Sequence, residues 1–98
     1  MSTLQAFWKE PRFKDSEAPL KAWLEEARQA SWLQPSDVKA QFGNASILKN
    51  RRVVFNIKGN DYRLVVAVAY RFQTVYVKFI GTHQQYDTID AHTVEDSR

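Results

Sequence analysis

Arg52-Val53-Val54-Phe55-Asn56-Ile57 and Tyr62-Arg63-Leu64-Val65-Val66-Ala67-Val68 are two runs rich in β-branched and aromatic residues, separated by Lys58-Gly59-Asn60-Asp61. Side chains on a strand alternate between the two faces of a sheet, so Val53, Phe55 and Ile57 share a face, as do Tyr62, Leu64, Val66 and Val68. The intervening Gly59-Asn60 pair supplies the positive φ angles of a tight turn, and the two runs are expected to form an antiparallel hairpin. A second turn near Arg71-Phe72-Gln73 leads to a third strand from Thr74 to Gly81, on which Val75, Val77 and Phe79 extend the apolar face. The opposite face then carries Arg52, Val54 and Asn56, then Arg63, Val65 and Ala67, then Tyr76, Lys78 and Ile80. This assignment holds for a regular pleat, and one β-bulge reverses part of it.

Upstream of the strands the apolar spacing is helical. Ser2 and Gln5 have the spacing of a capping box, Leu4, Phe7 and Trp8 follow at helical intervals, and Pro11 ends that helix. Ser16 is placed to cap a second helix with Pro19 in its first turn, and Leu20, Trp23, Leu24 and Ala27 form an i, i+3, i+4, i+7 stripe. Gln34-Pro35-Ser36-Asp37 opens a short third helix that runs to Phe42 and stops at Gly43-Asn44. Helices first and an antiparallel meander afterwards give an α+β fold, with the helices packed on one face of the sheet. The 98 residues suit a single domain, 1–98, with helices over 2–42, strands over 46–81, and a C-terminal turn and tail over 82–98.

Composition narrows the chemistry. There is no cysteine, which removes disulfides and thiolate metal sites, and the two histidines, His83 and His92, show no metal-ligand spacing, so neither metal nor cofactor is expected. Met1 to Trp8 runs directly into Lys9, Glu10 and Pro11, and the longest apolar run, Leu64 to Tyr70, is too short to cross a bilayer. A soluble cytoplasmic protein, away from membranes, is the expectation. The net charge of +3 is unevenly spread. Residues 1–48 are neutral, residues 49–78 hold seven basic side chains against Asp61 alone, and residues 79–98 carry a net −3. Cationic charge gathered on the strands is the footprint of a polyanion binder. Solvated Lys and Arg that guard sheet edges from aggregation have the same appearance.

The third strand runs into Gly81-Thr82-His83-Gln84-Gln85-Tyr86-Asp87, which sets an imidazole, a phenol and a carboxylate beside the basic face. Cleavage of RNA without a metal needs a group to take the 2′-OH proton, a group to protonate the leaving 5′-oxygen, and cations to stabilise the phosphorane. His83 suits either proton role, Tyr86 can act as an acid or stack on a base, and Arg63 and Lys78 can grip the phosphate. A turn histidine with a satisfied hydrogen bond, a tyrosine packed on the sheet and an Asp87 that caps the turn account for the same residues without catalysis.

Two motifs are more specific. V-F-N-I-x-G-N-x-Y-R-L over Val54 to Leu64, and F-I-G-T-H-x-x-Y-D over Phe79 to Asp87, together with Asp37 to Phe42 and Ala45 to Leu48, resemble the HigB-type toxins of type II toxin–antitoxin systems, within the RelE-like group. The resemblance runs from about Leu4 to Val94. It implies helices on a curved antiparallel sheet and a ribosome-dependent mRNA endonuclease, an mRNA interferase that cuts translated mRNA in the A site of the 70S ribosome. It also implies neutralisation by a HigA-type helix-turn-helix antitoxin, through which alone operator DNA would be bound. By position, Arg63, Lys78, His83 and Tyr86 match the family's catalytic arrangement, with Asp87 orienting His83. Arg52, Asn56, Lys58, Arg71 and Tyr76 are the candidate RNA contacts, Lys58 and Arg71 lying in turns. The family pattern carries a short strand ahead of the first helix, which Met1-Ser2 precedes directly here: either that strand is absent, which leaves a sheet edge open, or the start of the chain is late. A non-catalytic RNA- or ribosome-binding module is the alternative, since phosphate contacts require charge but no proton transfer. A protein-interaction module anchored on Trp32, Tyr70 and Phe72 is a third reading.

Overall fold

The computed structural model describes residues 2–95. Its elements are α1 (Ser2–Lys9), a 3₁₀ helix (Pro11–Ser16), α2 (Glu17–Gln29), α3 (Pro35–Gln41), β1 (Ser46–Ile47), β2 (Arg52–Ile57), β3 (Tyr62–Ala69), a 3₁₀ turn (Tyr70–Phe72), β4 (Thr74–Thr82) and α4 (His83–Tyr86). The architecture is α+β, as the switch from helical to strand periodicity requires. The Ser2–Gln5 capping box lies outside the described side chains. Pro11 both ends α1 and opens the 3₁₀ helix, where its fixed φ and missing N–H cost nothing. Ser16 caps nothing. It is buried, and its hydroxyl donates to the Phe13 carbonyl at 2.7 Å.

The sheet is antiparallel throughout, in the order β1-β2-β3-β4. It has one strand more than the meander read from the sequence, because Ser46 and Ile47 pair with Val54 and Val53. Two residues carry too little periodicity to be read as a strand. In the hairpin, Asn56 faces Arg63 and Ile57 faces Tyr62. The positive φ angles fall on Lys58 and Gly59, one residue earlier than the Gly59-Asn60 expected from composition.

Under the helices lies the main core. Leu4, Phe7, Leu20, Trp23, Trp32 and Val38 pack against Val53, Phe55, Leu64, Val66, Val68 and Ile80. Phe55 sits among rings, with centroids 5.2 Å from Trp23, 5.0 Å from Phe42 and 6.3 Å from Trp32. Edge-to-face and offset pairs of this kind add to the stabilisation from buried area alone. Trp32 is therefore core, and Tyr70 is partly buried against the same cluster, which removes two of the three aromatics read as exposed anchors; Phe72 alone is open, at 73%.

A β-bulge changes the face assignment. Val65 pairs with Phe79 and Val66 with Val77, so Lys78 is the extra residue of β4. Beyond it the pleat is inverted: Ile80, placed by strict alternation on the open face, is in the core, and Phe79, placed in the core, is on the other side. There Phe79 joins Val54, Val65, Leu48, Tyr86, Ile89, Ala91 and Val94 in a second apolar cluster. The face expected to be an open basic surface is thus covered through its middle by α4 and the segment that follows it.

Gly81 is required where β4 meets α4. A Cβ there would lie 2.6 Å from both Gln85 Oε1 and Phe79 Cζ. The Gln85 oxygen cannot move freely, because it accepts from the Thr82 amide at 2.9 Å while the Thr82 hydroxyl accepts from the Gln85 amide at 3.1 Å, a reciprocal cap of α4. Gly81→Ala is expected to destabilise the fold by about 1–3 kcal/mol, the usual range for overpacking. Thermal unfolding checks this, and a melting temperature equal to wild type would show that the cap and the Phe79 ring yield easily.

Candidate functional site

At the hairpin end of the sheet, Arg63 on β3 faces Gly81 on β4 and Asn56 on β2. Gly81 presents no side chain toward it. The Arg63 guanidinium lies 5.8 Å from the centre of the Tyr86 ring and donates to the Asn60 carbonyl at 3.1 Å. A guanidinium held at a ring face keeps its remaining N–H groups available for an anion. Tyr86 is half-buried, its ring tilted on Phe79 at 6.5 Å between centroids. The packing against Phe79 fixes the ring.

His83 and Asp87 are one turn apart on α4, with Nε2 and Oδ2 separated by 3.6 Å and both side chains about half exposed or more. That spacing is too long for a hydrogen bond. The His83 amide donates to the Asp61 carbonyl at 3.1 Å and ties α4 to the β2–β3 turn. An open depression lined by Asn60, Asp61, Tyr62, Thr82, His83 and Gln84 adjoins this corner. The tertiary structure therefore gathers Arg63, His83, Tyr86 and Asp87, with the exposed Asn56 opposite Arg63.

The remaining candidates lie elsewhere. Lys78, on the outer face, bonds Glu95 at 2.8 Å and sits 5.9 Å from the exposed Tyr76 ring. Arg52 is only 7% exposed. Its Nη1 donates to the carbonyls of Ala91 and Val94, and its Nη2 to Glu95 at 2.8 Å, so its charge is taken up by its own chain. Arg71 is exposed in the 3₁₀ turn, 5.7 Å from the Phe72 ring. Lys58 turns toward the helical layer, where it pairs with Asp15 at 2.7 Å and Asp61 at 3.5 Å, on the side of the hairpin away from Tyr86.

Two participants were not singled out in the sequence. Asp15 accepts from both Lys58 and the Tyr62 hydroxyl, and Glu95 bridges Arg52 and Lys78; neither has a local sequence signal, since each meets its partners only through the fold. The α4 cap was legible as Thr82-x-x-Gln85. Hydrogen bonding from Lys58 and then Tyr62 holds Asp15 below the usual carboxylate range. Burial, then the Asp15 bond, pushes Tyr62 up from 10.0 to about 12. Between those values the unfolded chain loses a proton that the folded chain keeps, so stability should fall as pH rises through that window, by up to about 2 kcal/mol. Chemical denaturation from pH 9 upward checks this against Tyr62→Phe; a loss of equal size in the variant would assign it to other groups.

Among the described residues no group of three or more His, Asp or Glu side chains converges as a metal site would need, and no helix is long and apolar enough to cross a membrane.

Comparison with known proteins identifies the family. The family model described as HigB_toxin, RelE-like toxic component of a toxin–antitoxin system, matches residues 16–89, a span that takes in α2, α3, the whole sheet, Arg63 and α4. The chain is 33% identical over 60 residues to the mRNA interferase toxin HigB of Escherichia coli (strain K12), and equally to the mRNA interferases HigB of Escherichia coli O157:H7 and Shigella flexneri. In each case the alignment covers 59% of this chain and 58% of the relative, so the chain spans somewhat under three fifths of the length of the curated relatives it matches. With the α+β fold and a family match over most of its length, this chain belongs to the HigB toxin family, the RelE-like toxic component of toxin–antitoxin systems.

Proposed function

We propose that this toxin is a ribosome-dependent endoribonuclease that cuts translated mRNA by metal-independent attack of a 2′-OH on the adjoining phosphate, and so halts translation in the cytoplasm. The observation that carries this reading is the meeting of the Arg63 guanidinium with the Tyr86 ring beside the His83–Asp87 pair, at an exposed corner of the sheet. In the reaction the 2′-oxygen gives up its proton as it bonds to phosphorus, the P–O5′ bond breaks, and the departing oxygen takes a proton. His83 and Tyr86 are the groups to which we assign those two transfers, and positioned proton transfer of this sort contributes about 10²–10⁴-fold. Arg63 stabilises the charge that builds on the phosphorane. Asp87, 3.6 Å from His83 Nε2, orients the imidazole. Lys78, held on Glu95 away from this corner, adds its charge along the RNA path and not at the reacting phosphate.

The names of the relatives, mRNA interferases, support the choice of substrate. An antitoxin follows from membership of the family, and a HigA-type helix-turn-helix protein is the partner expected, with operator DNA reached through it. The site is shallow and open, which suits a substrate presented by the ribosome, where the catalyst need not bind the nucleic acid tightly by itself.

Primer extension on cellular mRNA after brief induction tests the reading. Cuts within translated codons that disappear when initiation is blocked are the expected result. Intact transcripts together with ribosome-bound, folded toxin would select a non-catalytic ribosome-binding module instead.

A further inference from the structure

The cations at the far end of the sheet are already occupied. Glu95 offers one carboxylate oxygen to Lys78 Nζ and the other to Arg52 Nη2, each at 2.8 Å. The two cations come from different strands. Arg52 opens β2, and Lys78 is the bulged residue of β4, the position at which a strand re-aims a side chain. Their burial differs from that of the anion they hold: the Arg52 side chain is 8% exposed and that of Lys78 25%, whereas Glu95 is 65% exposed. Glu95 is not what fastens the C-terminal segment. The Ala91 and Val94 carbonyls are held by the other guanidinium nitrogen, and Ala91 and Val94 pack on Val54 and Val65. The carboxylate therefore fills a two-cation cleft that the rest of the fold builds without it.

A carboxylate with its two oxygens on two separate cations presents what the non-bridging oxygens of a phosphodiester present. Tyr76, 54% exposed and 5.9 Å from Lys78 Nζ, offers a ring beside the cleft on which a base can stack. We infer that Arg52 and Lys78 form a phosphodiester subsite for RNA, and that Glu95 is an intramolecular occupant which RNA displaces. The subsite extends the RNA path from the Arg63–Tyr86 corner along β4, and it rests on the reading of the chain as an RNA-acting toxin. Displacement exchanges one anion for another on the same cations, so the net affinity of the resting protein for RNA is held below what its basic strands alone would give. Selectivity follows: a strand already positioned by the ribosome competes with Glu95 better than free RNA does.

The test is fluorescence anisotropy with a short 2′-O-methyl oligoribonucleotide, whose blocked 2′-oxygen prevents cleavage. Glu95→Gln keeps the shape of the side chain and removes its charge. It should tighten binding about 3- to 10-fold, the scale of two partly exposed ion pairs, with a smaller gain at higher salt. Lys78→Gln should weaken binding of the otherwise native protein several-fold, and Glu95→Gln in that background should give no gain. Glu95→Gln that melts as wild type yet binds no tighter overturns the proposal, as does Lys78→Gln with unchanged affinity. Cleavage of ribosome-bound mRNA separates this from the wider reading. A binding gain without cleavage by either protein leaves the subsite and removes the nuclease, whereas cleavage without the binding gain does the reverse.

Discussion

Arg63→Ala is expected to slow cleavage of ribosome-bound mRNA by about 10²–10³-fold, the usual loss when a preorganised group facing developing charge is removed. Arg63 leaves a strand opposite a glycine, is tethered at Asn60 and lies against the Tyr86 ring, so it meets the phosphate without first having to be ordered. Arg63→Lys should recover only part of the activity, since an ammonium cannot present two parallel N–H groups to two oxygens. Tyr86→Phe separates ring from hydroxyl: stacking and the guanidinium contact survive, and any loss reports the proton. Asp87→Asn should have a smaller effect, because Asp87 acts only through His83, 3.6 Å away. Single-turnover cleavage with each purified variant is the measurement. Wild-type rates in Arg63→Ala, with the fold intact, would move the chemistry away from this corner.

Phe55→Ala should be the most destabilising single truncation in the core, at about 3–5 kcal/mol. Phe55 is 2% exposed and is shared by three other rings from α2, from the segment after α2 and from the segment after α3. Its loss opens a cavity at the junction of the helical layer with β2, where no neighbour can collapse without leaving another contact. For a domain whose whole stability is about 5–15 kcal/mol, that is a large fraction. Phe72→Ala is the control, since Phe72 is 73% exposed and its truncation should change stability by less than about 0.5 kcal/mol. Urea denaturation followed by the fluorescence of Trp8, Trp23 and Trp32 reads both. Similar midpoints for the two variants would contradict the placement of Phe55 at the centre of the core.

Part of this molecule is written locally. The alternation over Arg52 to Val68, the Lys58–Asp61 turn and the Leu20-Trp23-Leu24-Ala27 stripe each depend on backbone sterics and side-chain period, and these act within a few residues. The sequence by itself therefore determined an α+β fold, a hairpin, a helical layer over one face, and a basic segment leading into His83 and Tyr86. The V-F-N-I and F-I-G-T-H motifs named the family on which that reading converges.

Other features were decided by partners distant in the chain. Whether Lys78 is a regular strand residue or a bulge depends on how β4 registers against β3, and that one residue exchanged Phe79 with Ile80 between the two faces. Arg52 looked like an open RNA contact because the tail that covers it begins some forty residues later, and Lys58 turned away because Asp15 waits on the other side of the hairpin. Period and propensity are short-range properties, whereas burial and charge pairing depend on which segments meet; only the tertiary structure could place Arg63, Tyr86, His83 and Asp87 at one corner and give Arg52 and Lys78 to Glu95.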